Sequence, residues 1–291
     1  MKIENIFFFN YTYYTFLVLL LILLNFLVYL IIFIEETRPD LKVSFLDVGQ
    51  ADATLIETQN GNRLLIDAGG GESTLFSIIE FLPFYDQSID VVLITHPHSD
   101  HLNALPLMLD FIDVDVVIDS GSGHSTGVVE SSNIAIKDMG VDKIYARRGM
   151  VIRLSEDVYL PILFPDRNTR FLDPDNASIW AKLIHGNSSF LFTGDSFSPV
   201  ERYMVSIDGD ALKSNVFQAG HHGSRTSNSL DLLETVSPSY VVVSAGSNGY
   251  YEHPHKEAMK SFIFTESEIL KTFKEGNIVF ISDGETVEIV N

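Results

Sequence analysis

The sequence predicts a chain in two parts: one N-terminal transmembrane helix, then an α/β domain built as a four-layer αβ/βα sandwich. Three observations carry this expectation. No charged residue occurs from Ile6 to Ile34. The rest of the chain falls into two successive halves, each mixing short β-rich runs with helical patterns. Several of those runs, such as VVLI and the VVV of SYVVVSAG, are apolar throughout, so the sheets need cover on both faces.

Within the uncharged stretch, Phe16 to Ile34 reads FLVLLLILLNFLVYLIIFI. A spanning helix needs ~20 such residues. The stretch ends in EETRPD with no A-x-A pattern, which points to an uncleaved anchor rather than a signal peptide. Lys2 precedes the span, while Arg38 and Lys42 follow it among acids, and the positive-inside rule favours an outward-facing domain. Tyr11, Tyr13 and Tyr14 suit an interfacial belt. Residues 1–41 are assigned to anchor and linker, and 42–291 to the folded domain.

In that domain KVSFLDV, ATLIET and RLLIDAG are strand signals, the last two joined across QNGN. STLFSIIEFLPF and LNALPLMLDFI read as helices that lead into the strands DVVLIT and VDVVIDS. SSNIAIKDMG is helical before KIYARRG and VIRLSEDVYLPILFP. In the second half SIWAKLIHGNSSFLFTGD reads as a hairpin, Pro199 to Val205 and SLDLLETV as helices, and NVFQAG and SYVVVSAG as strands. GNIVFISDGETVEIVN is a closing hairpin.

Composition narrows the chemistry. With 46% hydrophobic residues a sizeable core is available. The absence of cysteine excludes disulfides, thiolate zinc sites and a cysteine nucleophile, leaving nitrogen and oxygen ligands for any metal. A net charge of −20 opposes long-range capture of polyanions.

The segment THPHSDH follows the strand VVLI directly. His96 and His98, two apart on a strand-to-loop segment, can share one cation, while Asp100 and His101 lie around the bend for a second. Imidazole and carboxylate donors of this kind suit zinc, manganese or iron.

HPHSDH resembles the H-x-H-x-D-H signature of the metallo-β-lactamase superfamily, whose fold is the four-layer sandwich. LLIDAG with Asp67, FLFTGD with Asp195, and FQAGHHGS with His221 and His222 resemble its other motifs in order. More narrowly, FLDVGQADA, HHGSRTSNS and SAGSNGYYEHPHKEA resemble the metallo-β-lactamase-like domain of ComEC-type DNA-uptake proteins. Those proteins also carry a multi-spanning channel domain, so with one span, DNA transport through this polypeptide is not expected.

The resemblance implies a metal set of His96, His98, Asp100, His101, Asp195 and one of the paired histidines. Asp195 would bridge one or two divalent ions, Zn2+ or Mn2+. Asn176 occupies the likely place of a further family histidine, and an amide oxygen there would weaken the first site or favour a harder ion. His221, nearer the strand end, is the expected ligand, with His222 on the opposite face as a supporting or substrate group.

The resemblance further implies that Asp67 orients a ligand histidine. Asp52 could support the site, and Asp47 lies near it. Ser224 and Arg225, with Thr226 and Ser227, offer donors to a phosphodiester. His253 is a candidate acid or substrate group, so Asp100, Asp195 and His253 form the catalytic expectation. His124 and His255 are read as incidental, His185 as a surface residue of a hairpin turn, and Arg147 and Arg148 as a solvated pair.

The expected function is a membrane-anchored, metal-dependent phosphodiesterase or nuclease acting on single-stranded DNA through an activated water. The alternatives are hydrolysis of cell-envelope phosphodiesters and a non-catalytic, membrane-tethered metal-binding module, the last favoured by Asn176.

Overall fold

The structure, a computed structural model, describes residues 4–36, 38–247 and 252–290. Lys2 and residues 248–251 of the SAGSNGYYEHPHKEA motif lie outside the described residues. The chain divides between Arg38 and Pro39 into two compact units.

The first unit is one α-helix, Glu4–Glu36. Its segment Tyr11–Ile34 has 24 residues, none of that window buried, and among the described residues it is the one helix long and apolar enough to cross a membrane. At 1.5 Å per residue it is roughly 36 Å long, more than the hydrocarbon core of a bilayer.

The second unit contains two sheets. The first is built from β1 (Leu41–Phe45), β2 (Thr54–Thr58), β3 (Arg63–Ile66), β4 (Ser88–Ile94), β5 (Asp113–Asp119) and β6 (Asp142–Tyr145). The second is built from β7 (Val151–Arg153), β8 (Val158–Phe164), β9 (Trp180–His185), β10 (Ser188–Phe192), β11 (Val216–Gln218), β12 (Tyr240–Val243) and β13 (Glu268–Lys271). The chain then returns to the first sheet with β14 (Ile278–Ser282) and β15 (Val287–Val290). The strand orders are β15-β14-β1-β2-β3-β4-β5-β6 and β13-β12-β11-β10-β9-β8-β7.

Side-chain alternation explains the four layers. In β3, Leu64 and Ile66 join the core between the sheets, while Leu65 joins the core under the helices Glu72–Phe81 and Gly127–Asp138. In β10, Phe190 and Phe192 face the inter-sheet core and Leu191 faces the opposite helical layer. Phe45, Phe192 and Phe280 meet in the middle, with ring centroids about 6 Å apart. The central strands of both sheets are therefore covered on both faces, as the continuous apolar runs require, while the edge strands β6, β7 and β15 stay largely exposed.

Three sequence expectations change. LNALPLMLDFI forms two short pieces, with Ser99–Leu102 ahead of Leu105–Met108, because Pro106 has no N–H to continue the first and fits the opening turn of the second. His185 is buried rather than on the surface: the β9–β10 turn is covered by the β14–β15 turn, Asn187 N donates to Gly284 O, and His185 Nδ1 lies 3.1 Å from Ser282 Oγ. Arg148 pairs with both oxygens of Asp208 and Arg147 donates to Ser120 O, so neither is merely solvated. Helices Lys256–Phe264 and Thr272–Glu275, with β13 between them, fill a region the sequence reading left unassigned.

Candidate metal centre

The ends of five strands deliver the motifs to one edge of the sandwich. Asp67 follows β3, His96 follows β4, Asp195 follows β10, His221 and His222 follow β11, and His253 comes after β12. Two glycines let the loops close on each other. A Cβ on Gly69 would lie 1.6 Å from the Asp100 carbonyl oxygen, and one on Gly194, at φ +51, would meet Ser178 and Thr95 at 3.0 Å or less.

Asp195 is buried at the centre. Its Oδ1 lies 3.4 Å from His101 Nε2, and its Oδ2 lies 3.8 Å from His96 Nε2, 3.6 Å from His221 Nε2 and 4.0 Å from His222 Nε2. To one side, His98 Nδ1 is 3.1 Å from His96 Nε2. To the other, His222 Nε2 is 3.3 Å from Asp100 Oδ2. Among the described residues four groups have ligand atoms close enough to share an ion: His96, His98 and Asp175; His96, His101 and Asp195; Asp100, His101 and His222; and, behind these, Asp52, Asp67 and His101. Donors 3–4 Å apart have the spacing of atoms each ~2.0–2.2 Å from a common cation.

These residues fit a divalent metal. His101 Nε2, Asp175 Oδ1 and Asp195 Oδ1 are buried and make no well-aligned hydrogen bond; their close contacts are with one another and with His96 and His98. Leaving buried polar atoms unpaired is costly, and a cation satisfies them together.

The atoms behind the donors hold them in place. Asp67 accepts from Thr95 N and Thr95 Oγ1 at 2.7 and 2.8 Å, and its Oδ2 lies 2.8 Å from His101 Nδ1. His101 thus donates from Nδ1 to Asp67 and presents Nε2 to Asp195. His222 Nδ1 donates to Ser244 O at 3.0 Å, with Asp52 Oδ1 3.3 Å away. Asp47 is exposed; its backbone N–H donates to Asn277.

Electrostatics follow from this packing. Burial opposes ionisation of Asp195, but His101 and His96 overcome it and hold the carboxyl well below the usual range. Burial and the neighbouring His101 push His96 well below an ordinary imidazole, so it is neutral. Burial also opposes charge on His101 and His222, yet Asp195 and Asp67 raise the first, and Asp52 and Asp100 the second, well above 6.5. His98 is raised by its contact with Asp175.

Two expectations need correction. At the place of the further family histidine, the carboxylate of Asp175 reaches the cluster, 2.8 Å from His98 Nδ1 and 3.5 Å from His96 Nε2. Asn176 turns away, its Oδ1 accepting from Phe197 N at 3.3 Å. In the paired histidines, His222 is the buried one that groups with Asp100 and His101, while His221 is partly exposed, stacks on Phe197 and lies 3.3 Å from Thr226 Oγ1. The opposite-faces rule fails because both residues sit in a turn with φ +51 and +54, not on a strand, and both reach toward Asp195.

A cleft of about 720 Å³ opens on the cluster, with Gln50, His98, Asp100, Asp175, His221 and His253 on its walls. Ser224 and Arg225 do not line it: Ser224 Oγ is buried against Thr226 Oγ1 within its own turn, and Arg225 is exposed, its N–H donating to His255 Nδ1. His124 comes closer than expected, its ring 5.4 Å from that of His98.

Gln50 escaped the sequence reading, although it stands in FLDVGQADA. Its Oε1 accepts from Gly246 N at 3.1 Å, which fixes the amide so that Nε2 faces His253 Nδ1 at 3.2 Å. His253 therefore carries its proton on Nε2. Burial and the imidazoles of His222, His255 and His221 lower it to about 4. Glu201 and Asn228 were also missed. Glu201 accepts from Asn228 N and Ser229 N, and the Asn228 amide bonds Gly220 N, Gly220 O and Ser224 O, bracing the turn that carries His221 and His222.

Comparisons with known proteins bear on the family and the fold. Residues 46–246 match the model of the metallo-beta-lactamase superfamily. The chain is 26% identical over 260 residues to ComE operon protein 3 of Bacillus subtilis, covering 82% of this chain and 33% of that protein. It is 26% identical to Recombination protein 2 of Haemophilus influenzae, covering 86% and 30%. The chain thus spans about a third of the length of these curated relatives. Among solved structures, the metallo-beta-lactamase fold protein YhfI from Bacillus subtilis superposes with a TM-score of 0.52 at 12% identity, covering 79% of this chain and 96% of that one. With its sandwich, its converging histidines and aspartates and its matched sequence in agreement, the chain belongs to the metallo-beta-lactamase superfamily.

Proposed function

We propose that this protein is a membrane-anchored, metal-dependent phosphodiesterase with single-stranded DNA as its substrate, its domain facing outward from the membrane. The observation that carries the reading is the convergence of His96, His98, His101, His222, Asp100, Asp175 and Asp195 on one cleft. Similarity to competence and recombination proteins supports a nucleic-acid substrate.

His96, His98 and Asp175 would hold one ion, and Asp100, His101 and His222 a second, with Asp195 between them. With no thiolate available, this mixed imidazole and carboxylate set admits both Zn2+ and Mn2+. A divalent ion supplies Lewis acidity, lowering the pKa of water and offsetting charge on phosphoryl oxygens. The chain's own part is to orient and to move protons. Asp67 and Asp52 keep His101 and His222 aimed inward. Neutral His253, its proton on Nε2, can donate a hydrogen bond to a phosphoryl or leaving oxygen in the cleft. Because Asp175 supplies a carboxylate where the sequence offered only an amide, the main argument for a binding-only module falls away.

The test is metal analysis of the purified protein, followed by turnover of bis-p-nitrophenyl phosphate and of a labelled single-stranded oligonucleotide. Chelator-sensitive turnover of both is expected. Bound metal with no turnover in either Mn2+ or Zn2+ would favour the binding-only module.

A further inference from the structure

We infer that the edge of the sandwich opposite the metal centre, carrying Phe84, Tyr85 and Phe111, rests in the interfacial zone of a lipid bilayer. The inference builds on the anchor in the proposed function.

Strand direction places the features. β1 pairs antiparallel with β2 and β2 with β3, so β1 runs the same way as β3, and β4 and β5 are parallel to β3. The metal donors follow the ends of these strands. The opposite edge holds their starts, and there the chain arrives at Leu41 directly after the apolar helix and its short link. Phe84 and Tyr85 precede the start of β4, and Phe111 precedes the start of β5. Asp113 N donates to Gln87 O at 3.0 Å, joining these two loops.

Side chains connect this aromatic edge to the arrival point. Lys42 Nζ bonds Glu57 at 3.0 Å, Glu57 bonds Arg63 Nε at 3.2 Å, and Arg63 Nη1 bonds Asp86 at 2.8 Å. Arg63 is fully buried in this chain of contacts, and Lys42 also lies 5.0 Å over the Phe81 ring. The loop with Phe84 and Tyr85 is thus tied to the second residue of β1.

Large aromatics here face outward: Phe84 is 87% exposed, Phe111 61% and Tyr85 40%, and the rings of Phe84 and Tyr85 meet edge-on at 5.1 Å. A single exposed aromatic such as Phe171 is ordinary, but clustered ones mark an interaction site, and aromatic side chains favour the headgroup level of a bilayer. The neighbouring carboxylates Asp86, Asp110 and Asp113 suit a zwitterionic rather than an anionic surface. With β4 seven residues long, the metal cleft opens roughly 23 Å from this edge, on the side away from the lipid.

The test uses the full chain in phosphatidylcholine vesicles whose acyl chains are brominated near the headgroup. The native Trp180 is buried and serves as the background. The F84W variant is compared with F171W, since Phe171 is 90% exposed elsewhere on the domain. An indole seated ~5–10 Å into the headgroup boundary lies within reach of the bromines, so the added emission of F84W is expected to fall about twofold while that of F171W is unchanged. If the chain floats with the vesicles but F84W is not quenched, or F171W is quenched equally, the inference is overturned and the anchor stands. If the chain does not float, the anchor reading fails and the inference with it.

Discussion

Asp67 Oδ2 and His101 Nδ1 lie 2.8 Å apart in a fully buried setting, and this contact decides which nitrogen of His101 faces Asp195. Burial raises Asp67 above the usual carboxyl value, and His101 and Thr95 work against that rise. An amide in its place keeps an acceptor for Thr95 but offers no anion to the imidazole. Asp67→Asn is expected to lower metal affinity about 10–100-fold while leaving the circular dichroism of the domain unchanged. Competition titration against a chelating dye measures it, and unchanged affinity would refute the orienting role.

Asp175 and Asn176 are neighbours with opposite surroundings. Asp175→Ala is expected to remove one equivalent of bound metal and reduce phosphodiester turnover at least ~100-fold. Asn176→Ala removes only a neutral hydrogen bond to Phe197 N, costing about 1 kcal/mol of stability, with metal content unchanged. Elemental analysis of the two variants side by side separates them; the reverse pattern would show that the amide is the ligand.

His101 and His222 are raised well above 6.5, so in the metal-free domain both are protonated at pH 7. Their ion pairs contribute stability that is full below about 6.5 and is lost as pH rises through the raised values. A metal takes only neutral imidazole, so loading expels these protons and affinity climbs with pH. Titration calorimetry at pH 7, in buffers of different ionisation enthalpy, is expected to show release of about two protons when both groups fill. Release near zero would contradict the protonated state.

His253 stands beside the donors without joining any of the four ligand groups. His253→Ala is expected to cut kcat about 100-fold or more with metal content intact, in keeping with loss of a proton-handling group. A full rate in this variant would leave His253 as a wall of the cleft only.

Asn228, at φ +66, uses its side chain on Gly220 and Ser224, far from any strand pattern. Asn228→Ala leaves several buried backbone groups unpaired and places alanine in left-handed backbone. Urea unfolding is expected to show a loss of about 2–4 kcal/mol. A loss below about 0.5 kcal/mol would mean the turn is held by Glu201 alone.

Read alone, the sequence determined what depends on covalent neighbours and on period. The uncharged run from Ile6 to Ile34 sets an apolar helix. Doubly apolar strands such as RLLI and FLF set a sandwich covered on both faces, and HPHSDH with Asp195 sets the metal-binding character. Tertiary structure alone decided which of two adjacent residues faces the cleft. Asp175 enters and Asn176 turns away because they occupy a short 3-10 turn, and His222 is buried beside Asp100 because its turn is left-handed. Gln50, Glu201 and Asn228 act through contacts with residues remote in the chain or on another loop, which no local pattern encodes. Periodicity describes regular backbone, where side chains point in known directions. In the loops that carry the chemistry, direction is set by φ, ψ and packing, and these exist only once the chain has folded.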